Sequence, residues 1–199
     1  MGAKSKEIWN DREFQARFEG LVLLSERSSL IESLLCTGAS GKEVSSRVSA
    51  VHRKFNIKTV RPRGKPLSAT NRMFMRTARE RYHASVLLAL ATKANLPAAE
   101  ADGTYVDHLI EVYQRYLWQT GSNPKDAVVR FDRFHELLNG LHSKVLVSRE
   151  CPQCNATFVF KRASVLESHR SCPFCLEHQH VPYNTASVLG RHVAGGAPA

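Results

Sequence analysis

The chain has 199 residues, a hydrophobic content of 43% and a formal net charge of +10 at pH 7. This length allows one domain or two small ones with a buried core, and the hydrophobic content argues against global disorder. No apolar run approaches transmembrane length and the N-terminus has no apolar signal core, so we expect a cytoplasmic protein. A basic chain of this kind most often binds nucleic acid.

The first part of the chain is predicted to be helical. The predicted helices cover residues 5–24, a short segment that follows Ser28 or Ser29, and residues 41–55. Gly38 suits the end of the second helix, and Ser40 suits the N-cap of the third. Because the third helix carries small polar and basic side chains beside its apolar stripe, residues 28–55 predict a helix-turn-helix. An ordinary antiparallel helix pair is the structural alternative.

Positive charge is concentrated in one block. Residues 42–81 contain twelve Lys and Arg residues and two Glu residues, an excess equal to the whole net charge of +10. This block predicts a phosphate-binding surface, whereas a solvated helix face is the alternative. Our candidate DNA-binding residues are Lys42, Arg47, Arg53, Lys54, Lys58, Arg61, Arg63, Lys65, Arg72 and Arg76.

An extended basic arm and a long helix follow. Residues 58–66 form the predicted arm, where Pro62, Gly64 and Pro66 exclude a continuous helix. The arm can track phosphates or act as a plain linker. The longest helix is predicted to start after Ser68 or Thr70 and to end near residue 95. Its second half is apolar on nearly all sides and should be buried, against its own domain or another subunit. We expect His83, between the halves, to be a structural hydrogen-bonding group.

Two further helices are predicted over residues 105–119 and 124–142. Apolar residues recur at core-like spacing in both, and Pro124 suits the first position of the second helix. We expect their aromatic side chains to form core contacts and not base-stacking platforms.

Four of the five cysteines form two pairs, Cys151-x-x-Cys154 and Cys172-x-x-Cys175, separated by residues 155–171. Two thiolates on each tight turn can point at one ion, and this spacing is typical of tetrahedral zinc sites. Strand-like runs lead into and out of the first pair. We therefore predict one structural Zn²⁺ held by these four cysteines.

Other readings of the cysteines are weaker. Disulfides need an oxidising compartment, matched pairs are rarely redox-active, and the ribbon-like spacing favours zinc over an iron–sulfur cluster. His169 could replace one cysteine as a ligand. A closed four-thiolate site has no open coordination position, so a zinc- or thiol-dependent enzyme is disfavoured and we identify no catalytic residue.

The order of these parts resembles the FlhC family, the C subunit of the bacterial flagellar master transcriptional activator. The cysteine pairs carry the resemblance most clearly, together with His83-Ala84-Ser85 and residues 127–141, and it spans roughly residues 20–180. It implies a DNA-binding activator in a heterohexamer with FlhD-like subunits, which binds promoter DNA and recruits RNA polymerase. Similar subunits activate conjugative transfer genes. The four cysteines are transferred as zinc ligands. Because the sequence has no apolar run of transmembrane length and no recognisable active-site motif, we expect neither a membrane partner nor a small-molecule substrate.

Together these observations predict a mainly α fold, with a helical domain containing a helix-turn-helix followed by a small C-terminal four-cysteine zinc-ribbon-like element. The expected boundaries are residues 1–144 for DNA binding and subunit assembly, 145–182 for the zinc element and 183–199 for a flexible tail. An RNA-binding or ribosome-associated zinc-ribbon protein is the alternative, because charge alone does not distinguish the two nucleic acids.

Overall fold

A computed structural model of the chain describes residues 8–25, 27–35, 39–57, 75–96, 103–162 and 171–177. Within these ranges the helices are α1 (Arg12–Leu24), α2 (Ser28–Leu35), α3 (Gly41–Lys54), α4 (Ala78–Lys93), α5 (Gly103–Thr120), α6 (Phe131–His142) and α7 (Pro173–Glu177). The strands β1 (Leu146–Glu150) and β2 (Thr157–Lys161) form a two-stranded antiparallel sheet. The predicted mainly α fold with a C-terminal four-cysteine element is confirmed.

Helix α1 begins inside the helix predicted over residues 5–24, after a non-helical break at residues 9–11. The Asp11 carboxylate accepts hydrogen bonds from the backbone N–H groups of Glu13 and Phe14, at 2.8 and 3.3 Å. An Asp N-cap satisfies donors that the first helical turn leaves without partners. The helix therefore starts at Arg12, and the prediction of one continuous helix over residues 5–24 is wrong because residues 9–11 are not helical. The predicted start at residue 5 lies outside the described residues.

Helix α4 also begins later than predicted. Thr77 Oγ1 accepts the Glu80 N–H at 3.1 Å, and the Glu80 carboxylate accepts the Thr77 N–H at 3.1 Å. This reciprocal capping box sets the start at Ala78, so a helix running from residue 68 or 70 is wrong. With 16 residues, α4 is shorter than α5, which has 18, so the prediction that this helix is the longest is also wrong.

The segment before α6 is held by turn and tyrosine hydrogen bonds. The Asn123 carbonyl accepts the Ala127 N–H at 2.9 Å, which closes a single turn. The buried Tyr113 hydroxyl donates to the Val129 carbonyl at 2.9 Å. These bonds hold the chain in a non-helical path until Phe131, so the predicted opening at residue 124 is wrong.

Helices α4, α5 and α6 surround the main hydrophobic core, against which α1, α2 and α3 also pack. The aromatic side chains of α5 and α6 are core residues, as predicted, and the apolar half of α4 is buried. The buried side chains of these helices include Leu87, Leu88, Leu90, Ala91, Tyr113, Tyr116, Phe131 and Phe134. Across the described ranges, no helix has both the length and the apolar character needed to cross a membrane.

The β1–β2 hairpin packs directly on α4. Its register pairs Leu146 with Lys161 at one end and Glu150 with Thr157 at the other. Leu146 and Val159 are fully buried in the main core, so the C-terminal element shares that core with the helices.

His83 is a structural hydrogen-bonding group, as predicted. Its Nδ1 lies 2.9 Å from the Tyr116 hydroxyl, and that hydroxyl also accepts the Val129 N–H at 3.4 Å. The hydroxyl proton can therefore go to a neutral His83 ring. Burial, together with the smaller effect of the nearby Arg79 charge, lowers the pKa of His83 from 6.5 to about 4.

Replacing His83 with Asn should reduce the acid sensitivity of the fold. The pKa of His83 is depressed from 6.5 to about 4, so between these pH values the unfolded state binds a proton that the native state does not bind. The free energy of unfolding therefore falls as the pH drops from 6.5 towards 4. Asn keeps an acceptor for Tyr116 and does not titrate. Urea unfolding near pH 7.5 and near pH 5.5 should show a smaller loss for H83N than for wild type, while H142N, at an exposed histidine, should behave as wild type. An unchanged pH dependence in H83N would contradict this assignment.

Candidate metal centre and nucleic-acid interface

The first cysteine pair lies at the turn of the β1–β2 hairpin. The Cys151 N–H donates to the Ala156 carbonyl at 3.0 Å, and the Asn155 N–H donates to the Cys151 carbonyl at 2.8 Å. Asn155 has a φ of 56°, in the left-handed region that Asn tolerates better than most residues. This tight turn returns the chain into β2, which begins three residues after Cys154.

The second pair lies at the start of α7. Cys172 precedes the helix and Cys175 is within its first turn, where the Leu176 N–H donates to the Cys172 carbonyl at 3.3 Å. Pro173 occupies the first helical position, which suits a residue with a fixed φ and no N–H. A helical turn thus gives the two thiols the same sequence spacing as the hairpin turn.

The four thiols converge. Their Sγ atoms all lie within 4.8 Å of one another, with 3.7 Å between Cys151 and Cys175 and 3.7 Å between Cys154 and Cys172. A disulfide requires about 2.05 Å, so these cysteines are free thiols. Zn–S bonds of about 2.3 Å in a tetrahedron place neighbouring sulfurs about 3.8 Å apart. The donor set and its spacing therefore fit one tetrahedral metal ion.

The thiols have opposed proton affinities. Hydrogen bonds from the Cys154 and Gln153 N–H groups lower the pKa of Cys151 to about 6. Burial raises the pKa of Cys172 to about 11, and burial also raises the pKa of Cys175. Because adjacent thiolates repel one another, four of them need a bound cation to be stable together.

Aromatic side chains line one side of the cysteine cluster. Phe158 is buried with Cys151 and Cys172, and the Arg149 guanidinium lies 5.0 and 5.1 Å from the rings of Phe158 and Phe160. These contacts exclude water from one side of the cluster and stiffen the hairpin.

Helix α4 supports both halves of the cluster. The Ser85 hydroxyl accepts the Val159 N–H at 3.1 Å and donates to the Arg81 carbonyl at 2.7 Å. The Tyr82 ring meets Phe174 of α7 edge-on, with centroids 5.0 Å apart. We did not identify Ser85 and Tyr82 as supporting residues from the sequence. The signal was a serine in an otherwise apolar stretch, which indicates a buried partner.

Helices α2 and α3 form a packed pair on α1. Ser40 is the N-cap of α3, as predicted, and accepts the Glu43 N–H at 3.3 Å. Val44, Val48 and Val51 form the buried stripe of α3, also as predicted. A Cβ on Gly41 would lie 3.3 Å from the Glu32 carboxylate, so the helices approach closely at this point. The pairing is compatible with a helix-turn-helix, which stays a prediction.

The outward face of α3 lies opposite the buried valines. With 3.6 residues per turn, Lys42, Ser46, Ser49 and Arg53 share this face. Lys42, Ser46 and Arg53 are exposed and Ser49 is half-buried. We call these four residues the outward face. It combines two long cations with two small hydroxyl side chains.

The remaining candidate DNA-binding residues are distributed differently. Arg47 and Lys54 lie on the flank of α3 that faces α1, and Arg76 is exposed just before α4. Five candidates lie outside the described residues: Lys58, Arg61, Arg63, Lys65 and Arg72.

Not all of the basic block is surface. Arg81 is only 4% exposed, and its guanidinium donates to the Arg76 carbonyl at 3.2 Å. Burial lowers the pKa of Arg81. The expectation that the whole block of residues 42–81 is a phosphate-binding surface is therefore wrong at this position, because the helix turns Arg81 into the core.

Comparison with protein-family models identifies one match. The model of the flagellar transcriptional activator FlhC matches residues 26–185, which include α2 to α7 and all four clustered cysteines. A search of the curated proteins found no match.

Replacing Cys154 with Ser should abolish stoichiometric metal binding and lower the melting temperature. Cys154 is the exposed member of the cluster, so the substitution removes a ligand without opening a core cavity. Metal content and thermal unfolding with and without chelator would be compared with Q153A, an exposed change in the same turn. A C154S chain with full metal content and wild-type stability would contradict the role.

Replacing Ser85 with Ala should destabilise the contact between the hairpin and α4. The change leaves the buried Val159 N–H without its partner, at a cost of about 1–3 kcal/mol. Urea unfolding and amide exchange in β2 would measure the effect. The control is S49A, whose hydroxyl bonds within its own helix to the Ser45 carbonyl. Equal effects of S85A and S49A would contradict this role for Ser85.

Proposed function

Because the chain belongs to the FlhC family of flagellar transcriptional activators, we propose that it is the DNA-binding subunit of an activator that works in a hetero-oligomer with FlhD-like subunits. In this proposal the complex binds promoter duplex and recruits RNA polymerase. The observation that carries DNA binding is the outward face of α3, which lies within both the family-matched residues and the basic block of residues 42–81.

The outward face suits a duplex groove. Small side chains at Ser46 and Ser49 allow close approach of the helix, and their hydroxyls can donate to or accept from base edges. Lys42 and Arg53 are eleven positions apart, so they flank the serines along about 16 Å of helix axis. Cations at these two ends are placed to contact phosphates, while the serines occupy the middle. Lys58, Arg61, Arg63, Lys65 and Arg72 extend this basic surface in the proposal.

We propose that the metal is Zn²⁺, held by Cys151, Cys154, Cys172 and Cys175. Four thiolates favour zinc over harder cations, and the 3.7 Å sulfur separations suit its tetrahedral coordination. Four protein ligands leave no position for water or substrate, so the ion has a structural role and the protein is not an enzyme. Residues 145–182 form the zinc element and residues 1–144 the DNA-binding and assembly region.

Partner binding is supported by exposed apolar side chains. Trp118 on α5 is 82% exposed, which is unusual for a tryptophan outside a protein–protein interface. Tryptophan is enriched at the energetic centres of protein interfaces. We propose that an FlhD-like subunit covers this position.

The test of the proposed function is binding of a labelled promoter fragment with random duplex as competitor. The binding is measured over a salt series, with and without a co-expressed FlhD-like subunit. Promoter-specific binding that requires the partner is the expected result. Binding without promoter preference, and stronger binding to structured RNA, would instead favour an RNA-binding zinc protein.

Replacing Arg53 with Ala should weaken promoter binding by the complex and reduce the magnitude of the salt slope by about 0.9, as expected for one lost phosphate contact. The matched control is R115A, which removes the same charge from an exposed position on α5. If the R53A complex binds promoter with the same affinity and salt slope as the R115A complex, the proposal that the outward face contacts DNA is wrong.

A further inference from the structure

Helix α1 contacts the flank of α3, beside the outward face. The Arg47 guanidinium lies 4.1 Å from the centroid of the buried Trp9 ring, and its Nε is 3.6 Å from the Glu43 carboxylate. The Lys54 ammonium is 2.6 Å from the Glu19 carboxylate. One pocket of about 200 Å³ separates α3 from α1 and the residues before it, and its lining includes Trp9, Glu19, Arg47 and Lys54.

This arrangement divides the cations of α3 into two sets. Lys42 and Arg53 lie on the outward face, whereas Arg47 and Lys54 are each paired with the segment that precedes α2. That segment also precedes residue 26, where the match to the family model begins. An element outside the family-matched residues thus controls two charges of an element inside them.

The two contacts have little value for stability alone. The Lys54 side chain is 59% exposed and the Arg47 side chain 43%, and ion pairs at such positions contribute little to folding. The same two contacts can nevertheless change the affinity of the protein for DNA. Phosphate contacts by Lys and Arg supply nearly all of the non-specific affinity of a DNA-binding protein. A cation that already faces a carboxylate attracts phosphate less, and the carboxylate itself repels phosphate.

We propose that α1 and the residues just before it mask positive charge: Glu19 of α1 keeps Lys54 from phosphates and Trp9, which precedes α1, keeps Arg47 from them, which limits non-specific DNA binding. This inference rests on the proposed DNA-binding function. Masking affects random duplex more than the promoter, because specific docking through the outward face fixes how α3 lies on the duplex. Non-specific complexes sample many orientations, including those that bring the flank of α3 to the backbone.

The decisive comparison is E19Q against E13Q in the complex of the full chain with its co-expressed partner. Both variants remove one negative charge from α1, but Glu13 pairs with Arg17 of its own helix. We expect E19Q to raise affinity for random duplex by up to about eightfold in 0.1 M salt, and to increase the magnitude of its salt slope by about 0.9. Promoter affinity should change less, so the ratio of specific to non-specific affinity falls. Loss of fold would weaken binding, which is the opposite result.

Trp9 provides a second comparison. W9L removes the ring face beneath Arg47 and should also strengthen binding to random duplex, whereas W9F retains an aromatic face and should stay near wild type. If E19Q matches E13Q and W9L matches W9F while the wild-type complex binds its promoter, the masking inference is overturned and the proposed function stands. If the wild-type complex has no preference for promoter duplex, the proposed function is overturned and the inference with it.

Discussion

Helix α4 is apolar on nearly every side of its second half, and a helix of this kind is stable only when most of that surface is covered by other elements. The molecule covers it with α5 and α6 on one side and with β2 and α7 on the other, and leaves Ala89 exposed. Each covering element therefore has its place set by the same helix. The four-cysteine element packs against the helices because its β2 and α7 bury part of the apolar surface of α4.

The cysteine cluster depends on this packing and also reinforces it. Val159 can be buried in the main core only if its N–H has a partner, which the Ser85 hydroxyl supplies. The second cysteine pair reaches the first because α7 lies on α4, where Tyr82 contacts Phe174. A metal ion held by the four cysteines would join the end of β1, the turn before β2 and the start of α7. Removing the ion would leave adjacent thiolates or force protons onto them, so metal binding and docking of the hairpin are coupled energetically.

The sequence predicted which segments are helical better than where they begin. Apolar spacing is repeated over many residues, so it identified α3 and α5 and the buried half of α4. Helix starts depend on single hydrogen bonds that several nearby residues could make. Asp11 and Thr77 act as caps in place of earlier candidates, and Tyr113 holds the segment before α6 through a contact with Val129 that no local pattern encodes. The cysteine cluster was predictable because its spacing is itself the chemical signal.

The total charge of the basic block could be predicted from the sequence, but the orientation of each basic side chain could not. A count of Lys and Arg does not record which way each side chain points, and the fold separates them by orientation. Arg81 turns into the core, Arg47 stacks on Trp9, and Arg53 faces outward. In the proposed function the protein must find one site among many, so the ratio of specific to non-specific affinity matters more than total attraction to DNA. Under that proposal, a chain with a net charge of +10 gains specificity when some of its cations are paired within the fold, because each unpaired cation strengthens binding to every sequence alike.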